Sequence, residues 1–278
     1  MPELTVLIPA SNEEALIGQC LEAIIGSDWP SHGWVEILVI SNGSLDRTTE
    51  VARSYTEQAA QKSWVLHVLD RKEGGKLAAL NAGDRVARGL NRVYLDADVV
   101  IEPDVLFKIH KTLSTGAARY ASSTLSLDHP KTWVTRAYAR IYAKVPFMRH
   151  GVPGAGLFAV NAAGRMRWDD FPDIISDDTF VRLSFRPEER IAVDARYSWP
   201  LVEGWRNLVR VRKRQDAGVE ELRRDYPHLF DNDDKPEFSL WDKMKLAVGD
   251  PVGFAVYAGV ALAVRFSRGD ETAWSRGR

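Results

Sequence analysis

Cysteine is almost absent: Cys20 is the only one in 278 residues. No disulfide can form within the chain, a cysteine-based zinc site is disfavoured, and the usage fits a reducing compartment. Histidine is scarce too, with six residues and none at H-x-x-x-H spacing, which argues against zinc chemistry. Charge of one sign is also missing. Lys and Arg number 37 against 38 Asp and Glu, a net charge of −1, so no basic excess points to nucleic acid and no acidic tail is present. Long apolar runs are lacking as well. The stretch 251–264 carries no charge, but its 14 residues fall short of the ~20 that span a bilayer as a helix. The first nine residues have neither a basic region nor a long apolar core and do not read as a signal peptide. What is present is an ordinary globular composition, 45% hydrophobic and 27% charged, enough for one large domain or two small ones.

The first hundred residues alternate in character. Residues 4–8, 35–40, 64–69 and 93–95 are apolar runs of the kind that form strands buried on both faces. Helical spacing lies between them: Ile17, Leu21, Ile24 and Ile25, then 46–55, then 76–90 with an end near Gly89. Ser11 and Glu14 have the spacing of a capping box. Strands alternating with helices predict βαβ units and a mostly parallel sheet, whose ligands sit beyond the carboxyl ends of the strands. The polar groups after the first, second and fourth strands are therefore expected at one crevice.

The fourth strand ends in Asp96-Ala97-Asp98. In an extended chain residues two apart point the same way, so both carboxylates are expected to face one point. Two hard oxygen ligands there suit Mg²⁺ or Mn²⁺, which bind through one or two carboxylates plus substrate phosphates. The competing reading is a strand-end turn in which Asp bonds its own backbone.

The second half is less regular. Helices are expected at 103–115, 132–145, 179–185 and 203–214, and a strand at 157–160 after a glycine loop. Trp133, Tyr138, Ile141, Tyr142 and Val145 form a stripe that reads as core or interface. The stretch 251–264, followed by Arg265 and Arg268, reads either as a helix packed on the domain or as an interfacial helix at a membrane.

Laid in order, these motifs resemble a known family. Ile8-Pro9-Ala10-Ser11-Asn12-Glu13-Glu14 resembles the P-x-x-N-E opening of the inverting family 2 glycosyltransferases of GT-A fold. Ser41-Asn42-Gly43-Ser44-Leu45-Asp46 resembles their D-D-G-S-x-D turn, and residues 75–83 their G-K-x-x-A-L-N-x-G. Asp96-Ala97-Asp98 falls where the family has D-x-D. Further on, Gly154-Ala155-Gly156 resembles the acceptor-side glycine loop, Asp177-Asp178 the E-D pair, and Arg212-Lys213-Arg214 part of Q-R-x-R-W.

The resemblance implies an α/β fold: a Rossmann-like, mostly parallel central sheet flanked by helices, with a C-terminal helical extension. Residues 1–235 would form the catalytic domain, with a nucleotide-binding half to residue 100 and an acceptor half to 235. Residues 236–278 would form the extension. It implies a nucleotide-sugar donor, a UDP-sugar being favoured, held by Pro9, Ala10, Asn12, Glu13, Asn42, Lys76, Asp96, Arg212 and Arg214. Asp98 and Asp96 would hold Mn²⁺ or Mg²⁺. Gly154, Gly156 and Asp177 would lie on the acceptor side, and Asp178 would be the general base. Asp169, Asp170 and Asp173 are nearby rivals, and a helix N-terminus is the other reading of the Asp177-Asp178 pair. Arg212 and Arg214 read equally as a solvated basic face. Asn42 stands where the family often has Asp, which leaves the base open, because an amide both donates and accepts. Gln215 stands where processive members have Trp, which favours one sugar per event.

The acceptor is expected to be a glycan or a lipid-linked glycan on the cytoplasmic side, with a membrane contact through 251–268. A catalytically silent sugar-nucleotide binder and a nucleotidyltransferase are the competing functions. The first should lack the carboxylates; the second needs a glycine-rich phosphate loop after the first strand.

Overall fold

The computed structural model describes residues 2–30, 33–127 and 130–267. Arg268 and the rest of the C-terminus lie outside the described residues. One eight-stranded sheet organises the chain. Its strands are β1 (Leu4–Ala10), β2 (Val35–Asn42), β3 (Val65–Arg71), β4 (Asn91–Leu95), β5 (Val100–Ile101), β6 (Tyr120–Leu127), β7 (Leu157–Val160) and β8 (Arg190–Trp199), in the order β3-β2-β1-β4-β7-β6-β8-β5. The pairs β1–β2, β1–β4, β2–β3 and β6–β8 are parallel; β4–β7, β6–β7 and β5–β8 are antiparallel. The expected mostly parallel sheet is therefore present. Every residue of β1 and β2 is buried, as continuous apolar strands covered on both faces require.

The helices are α1 (Ile17–Ile25), α2 (Thr48–Ser54), α3 (Thr56–Gln61), α4 (Lys76–Val86), α5 (Val105–Leu113), α6 (Trp133–Tyr142), α7 (Pro146–Arg149), α8 (Ala162–Arg165), α9 (Asp177–Leu183), α10 (Trp205–Asp225), α11 (Leu240–Gly249) and α12 (Pro251–Phe266). On one side of the sheet α1 and α5 pack with the first face of β1, β2 and β4. On the other, α4 and α9 cover Leu7, Leu38, Ile40 and Tyr94. A third cluster joins α6, α10 and α12.

Three local expectations are corrected. Ser11 and Glu14 form no capping box, because α1 begins only at Ile17. Ser11 Oγ instead donates to Asn42 O at 2.8 Å, and Glu14 carries its carboxylate to the amide of Arg47. The α4 helix stops at Val86, so that Gly89 N can reach Thr5 Oγ1 at 2.9 Å. The α10 helix runs eleven residues beyond Arg214, because Gly218 and Leu222 bury a continuing face within a polar sequence.

In the aromatic stripe Tyr138, Ile141, Tyr142 and Val145 are buried, whereas Trp133 is 63% exposed. The uncharged run forms α12, which buries Gly253, Val256, Tyr257, Val260 and Val264 against α6 and α10. The packed-helix reading therefore holds for one face. Among the described residues no helix is long and apolar enough to cross a membrane.

Candidate active site

The carboxyl ends of β1 and β2 are laced together. Asn12 adopts a left-handed conformation (φ 52°), which Asn tolerates better than most residues, and its Oδ1 accepts from Leu45 N at 2.7 Å. Asn12 N donates to Ser44 Oγ, Glu13 N to Thr48 Oγ1, and Glu14 N to Asp46 Oδ2. Asn42 is buried; its Nδ2 donates to Ala10 O at 3.0 Å and its Oδ1 accepts from Gly75 N at 3.2 Å. One amide thus fixes the ends of two strands and the start of α4. The two motifs at these strand ends build a single wall.

The third motif explains itself as packing. A Cβ on Gly83 would lie 2.8 Å from Leu7 Cδ2 and 2.9 Å from Ile40 Cδ1, so glycine lets α4 lie close on the sheet. Asn81 reaches across to the segment before α9. Its Nδ2 donates to Phe171 O at 3.0 Å and its Oδ1 accepts from Phe171 N at 2.7 Å. At the head of the same helix, Lys76 Nζ stands 2.8 Å from Asp96 Oδ1 and 3.0 Å from Asp177 Oδ2. One ammonium group therefore joins the carboxylate after β4 to the carboxylate opening α9.

The D-x-D stretch is a turn rather than an extended strand. β4 ends at Leu95, and Val99 N returns to Asp96 O at 3.1 Å. The alternation that would aim both carboxylates at one point is broken there. Asp96 N donates to Gly156 O at 2.9 Å, which sets it beside the glycine loop. Asp178 is held by Thr179, whose N and Oγ1 both donate to Oδ1, at 2.6 and 3.3 Å. Burial pushes the Asp178 carboxyl up to about 6, the neighbouring Asp177 charge adds to this, and Lys76 partly offsets both. Burial alone would pull the Lys76 ammonium down; Asp177 and Asp96 outweigh it and hold the lysine charged.

These groups open on one cleft of about 470 Å³. Pro9, Lys76, Asp96, Gly156, Asp177, Asp178, Arg212 and Arg214 line it, so eight of the residues expected from sequence share one cavity. Ala10, Asn12, Glu13, Asn42, Asp98 and Gly154 are not among its lining residues. The rivals Asp169, Asp170 and Asp173 do not line it either; Asp170 pairs with Arg85. Arg212 is not a solvated basic side chain. Its Nε donates to Asp216 Oδ1 at 2.8 Å and its Nη1 to the Tyr257 hydroxyl at 3.3 Å.

Among the described residues no three or more His, Cys, Asp or Glu converge as a metal site. Asp96, with its carboxylate in the cleft, and Asp98, two residues on, supply hard oxygen but too few ligands for a closed protein cage. Such a donor set fits Mg²⁺ or Mn²⁺ that takes its remaining ligands from a diphosphate and water.

Sequence reasoning gave no role to Asn81 and missed the apolar side of the cleft. Trp199 ends β8, Phe147 lies on α7, and Phe238 precedes α11; all three line the cavity from unmotived segments. Only the aromatic stripe through Tyr142 and Val145 gave notice of that wall.

Comparison with known proteins defines the class. The family model described as glycosyl transferase family 2 matches residues 5–156, more than half of the chain. The chain belongs to that glycosyltransferase family. It is similar to the probable glycosyltransferase YdaM of Bacillus subtilis, 34% identical over 98 residues, 35% of this chain and 23% of that protein. It is also similar to the dolichyl-phosphate beta-glucosyltransferase of Drosophila melanogaster, 34% identical over 102 residues, 34% of this chain and 31% of that one. The matched stretch thus spans under a third of either relative's length. Among solved structures, the mannosyltransferase PcManGT from Pyrobaculum calidifontis, in complex with GDP-Man and Mn²⁺, covers 96% of this chain and 76% of its own, with a TM-score of 0.61 at 23% identity. That likeness carries the fold, which is GT-A.

Proposed function

We propose that this chain transfers one sugar, with inversion, from a nucleotide-sugar donor to an acceptor hydroxyl, with Asp178 as the general base. The observation that carries the reading is the bridge from Asp96 through Lys76 to Asp177 in a cleft that Asp178 also lines. It gathers the acidic groups of two distant segments at one sheet edge. In the reaction the acceptor oxygen attacks the anomeric carbon while the bond from that carbon to the diphosphate oxygen breaks. The nucleoside diphosphate leaves with the electron pair, and the acceptor proton passes to Asp178. A base whose carboxyl is pushed to about 6 is ionised at neutral pH yet still basic enough to take that proton.

The donor nucleotide lies against Pro9, Ala10, Asn12 and Glu13, with Asn42 bracing the wall behind them. Lys76 and Arg214 meet the diphosphate as cations, and Arg212, paired with Asp216, adds its charge beside them. Asp96 and Asp98 would hold a divalent ion, Mn²⁺ or Mg²⁺, which would supply charge compensation on the leaving diphosphate. The structural neighbour with GDP-Man and Mn²⁺ supports a sugar nucleotide with a divalent ion. A UDP-sugar is the favoured donor. Gly154, Gly156 and Asp177 border the acceptor, a glycan or lipid-linked glycan met at the cytoplasmic face of a membrane, which α12 and Arg265 contact.

The test is Asp178→Asn. Transfer should fall by ~10²–10⁴, the usual weight of a general base, while nucleotide affinity stays nearly unchanged. Transfer at the wild-type rate would remove Asp178 from the mechanism.

A further inference from the structure

The cleft has two unlike ends. One carries Lys76, Asp96, Asp177 and Asp178; the other is walled by Tyr142, Val145, Phe147, Trp199, Phe238 and Tyr257. We propose that this second wall is the acceptor subsite and that it takes a hydroxyl-bearing amphiphile, with its apolar chain along the wall and its hydroxyl at Asp178.

A glycan presents hydroxyls on every side, and each loses its water on entering a cleft and needs a partner there. Aromatic faces can stack on sugars, but Val145, Pro146, Val211, Val219 and Pro236 offer neither a ring face nor a hydrogen bond. Of the polar groups that line the cleft beside these residues, Arg212 is already committed to Asp216 and Tyr257 and Lys235 pairs with Asp233, which leaves Gln215 and Glu237 at the margin of the apolar wall. Apolar surface of this kind is matched by apolar surface, which gains by leaving water.

The construction of the wall supports the same occupant. Phe238 and Tyr257 belong to the cluster that joins the C-terminal helices to α6 and α10. The outside of those helices remains apolar: Leu240 is 78% exposed and Val248 85%, with Trp241, Met244, Val252 and Phe266 also exposed. Lys243 and Lys245 stand among them on α11, each over an aromatic ring. The segment that closes the cleft thus presents apolar and cationic side chains outward, where an amphiphile would be held before it enters.

This inference rests on the proposed transfer reaction. In it the amphiphile's oxygen bonds to the anomeric carbon, the bond from that carbon to the diphosphate breaks, and the proton goes to Asp178.

The test uses decyl and methyl β-D-glucopyranoside, which share a headgroup and differ only in chain. Their binding to the full chain is measured by calorimetry below the critical micelle concentration. Decyl glucoside should bind at least tenfold tighter than methyl glucoside. Val145→Asp should remove at least tenfold of that preference, whereas Met166→Ser, at an exposed site remote from the wall, should leave it intact. A donor-induced thermal shift reports whether Val145→Asp is folded, and Phe238→Ser serves in its place if it is not. Equal binding of the two glucosides, or an oligosaccharide preferred over both, overturns the proposal and leaves the transfer reaction standing. A chain preference that survives both wall variants also overturns it and assigns the binding to the outer face. Absence of any sugar-nucleotide shift in the wild-type chain removes the transfer reaction and, with it, the acceptor role.

Discussion

Lys76 is the residue on which the electrostatics of the cleft turn. It lies within 3.0 Å of two carboxylates and lowers the proton affinity of a third, Asp178. As the proposed base, Asp178 works only when ionised, so transfer should fall as pH drops through about 6. Lys76→Met removes a positive charge that favours the ionised form of Asp178. The acid limb of the kcat/KM profile should therefore move to higher pH, whatever happens to its height. A limb that stays in place would mean that Lys76 and Asp178 do not sense each other. That this lysine would stand at the crevice beyond the strand ends was legible in sequence, and it lines the cleft there. Its pairing with Asp177 was not legible, because the two lie 101 positions apart and no periodicity connects them.

At the scale of elements, two joints bear on the site. Gly154 has φ +69°, and a Cβ there would stand 1.8 Å from the hydroxyl of the fully buried Tyr120. Gly154→Ala should therefore cost on the order of 3 kcal/mol, from overpacking together with a left-handed backbone, as read from urea unfolding. A loss below 1 kcal/mol would mean that the loop before β7 moves freely. The second joint is Asp250, whose Oδ1 accepts from Gly253 N at 2.8 Å to cap α12 while the same carboxylate pairs with Arg140 of α6. The Arg140 hydrogen bond, then the Gly253 amide, hold its carboxyl down at about 2. A folded-state value below the ordinary one stabilises above that ordinary value and is lost as pH falls toward 2. The Tm gap between wild type and Asp250→Ala should accordingly be wide at pH 7 and close by about pH 2. A gap that does not change with pH would sink the ion-pair account.

Legibility followed burial. β1 and β2 are mostly apolar because both faces are covered, and they announced themselves; Thr5 and Glu36, buried among them, bond each other. β6 was missed because it buries Ser122 and Ser123, with Ser122 Oγ donating to Leu157 O at 2.7 Å. β8 was missed because its alternation of buried Val193, Ala195 and Tyr197 with exposed Asp194 and Arg196 is short and follows a buried arginine, Arg190, and α11 because it buries no side chain fully.

For the whole molecule, donor binding should couple the two halves of the cleft, since its lining comes from β1, α4, β4, α9 and α10. A ligand that binds only the folded chain at a hundred times its Kd stabilises by about 2.7 kcal/mol. In a chain of this size that corresponds to a Tm rise of roughly 4–5 °C. UDP- and GDP-sugars should each be offered with and without Mn²⁺; the matching base gives the larger rise, and the ion enlarges it. Asp98→Ala separates the ion's share from the nucleotide's, because Asp98 lies outside the cleft lining while Asp96 is already paired with Lys76. If the turn delivers Asp98 to a metal–diphosphate complex, the variant keeps the metal-free shift and loses the increment from Mn²⁺. An increment equal to that of the wild type would leave Asp96 as the sole carboxylate of the pair engaged with the ion.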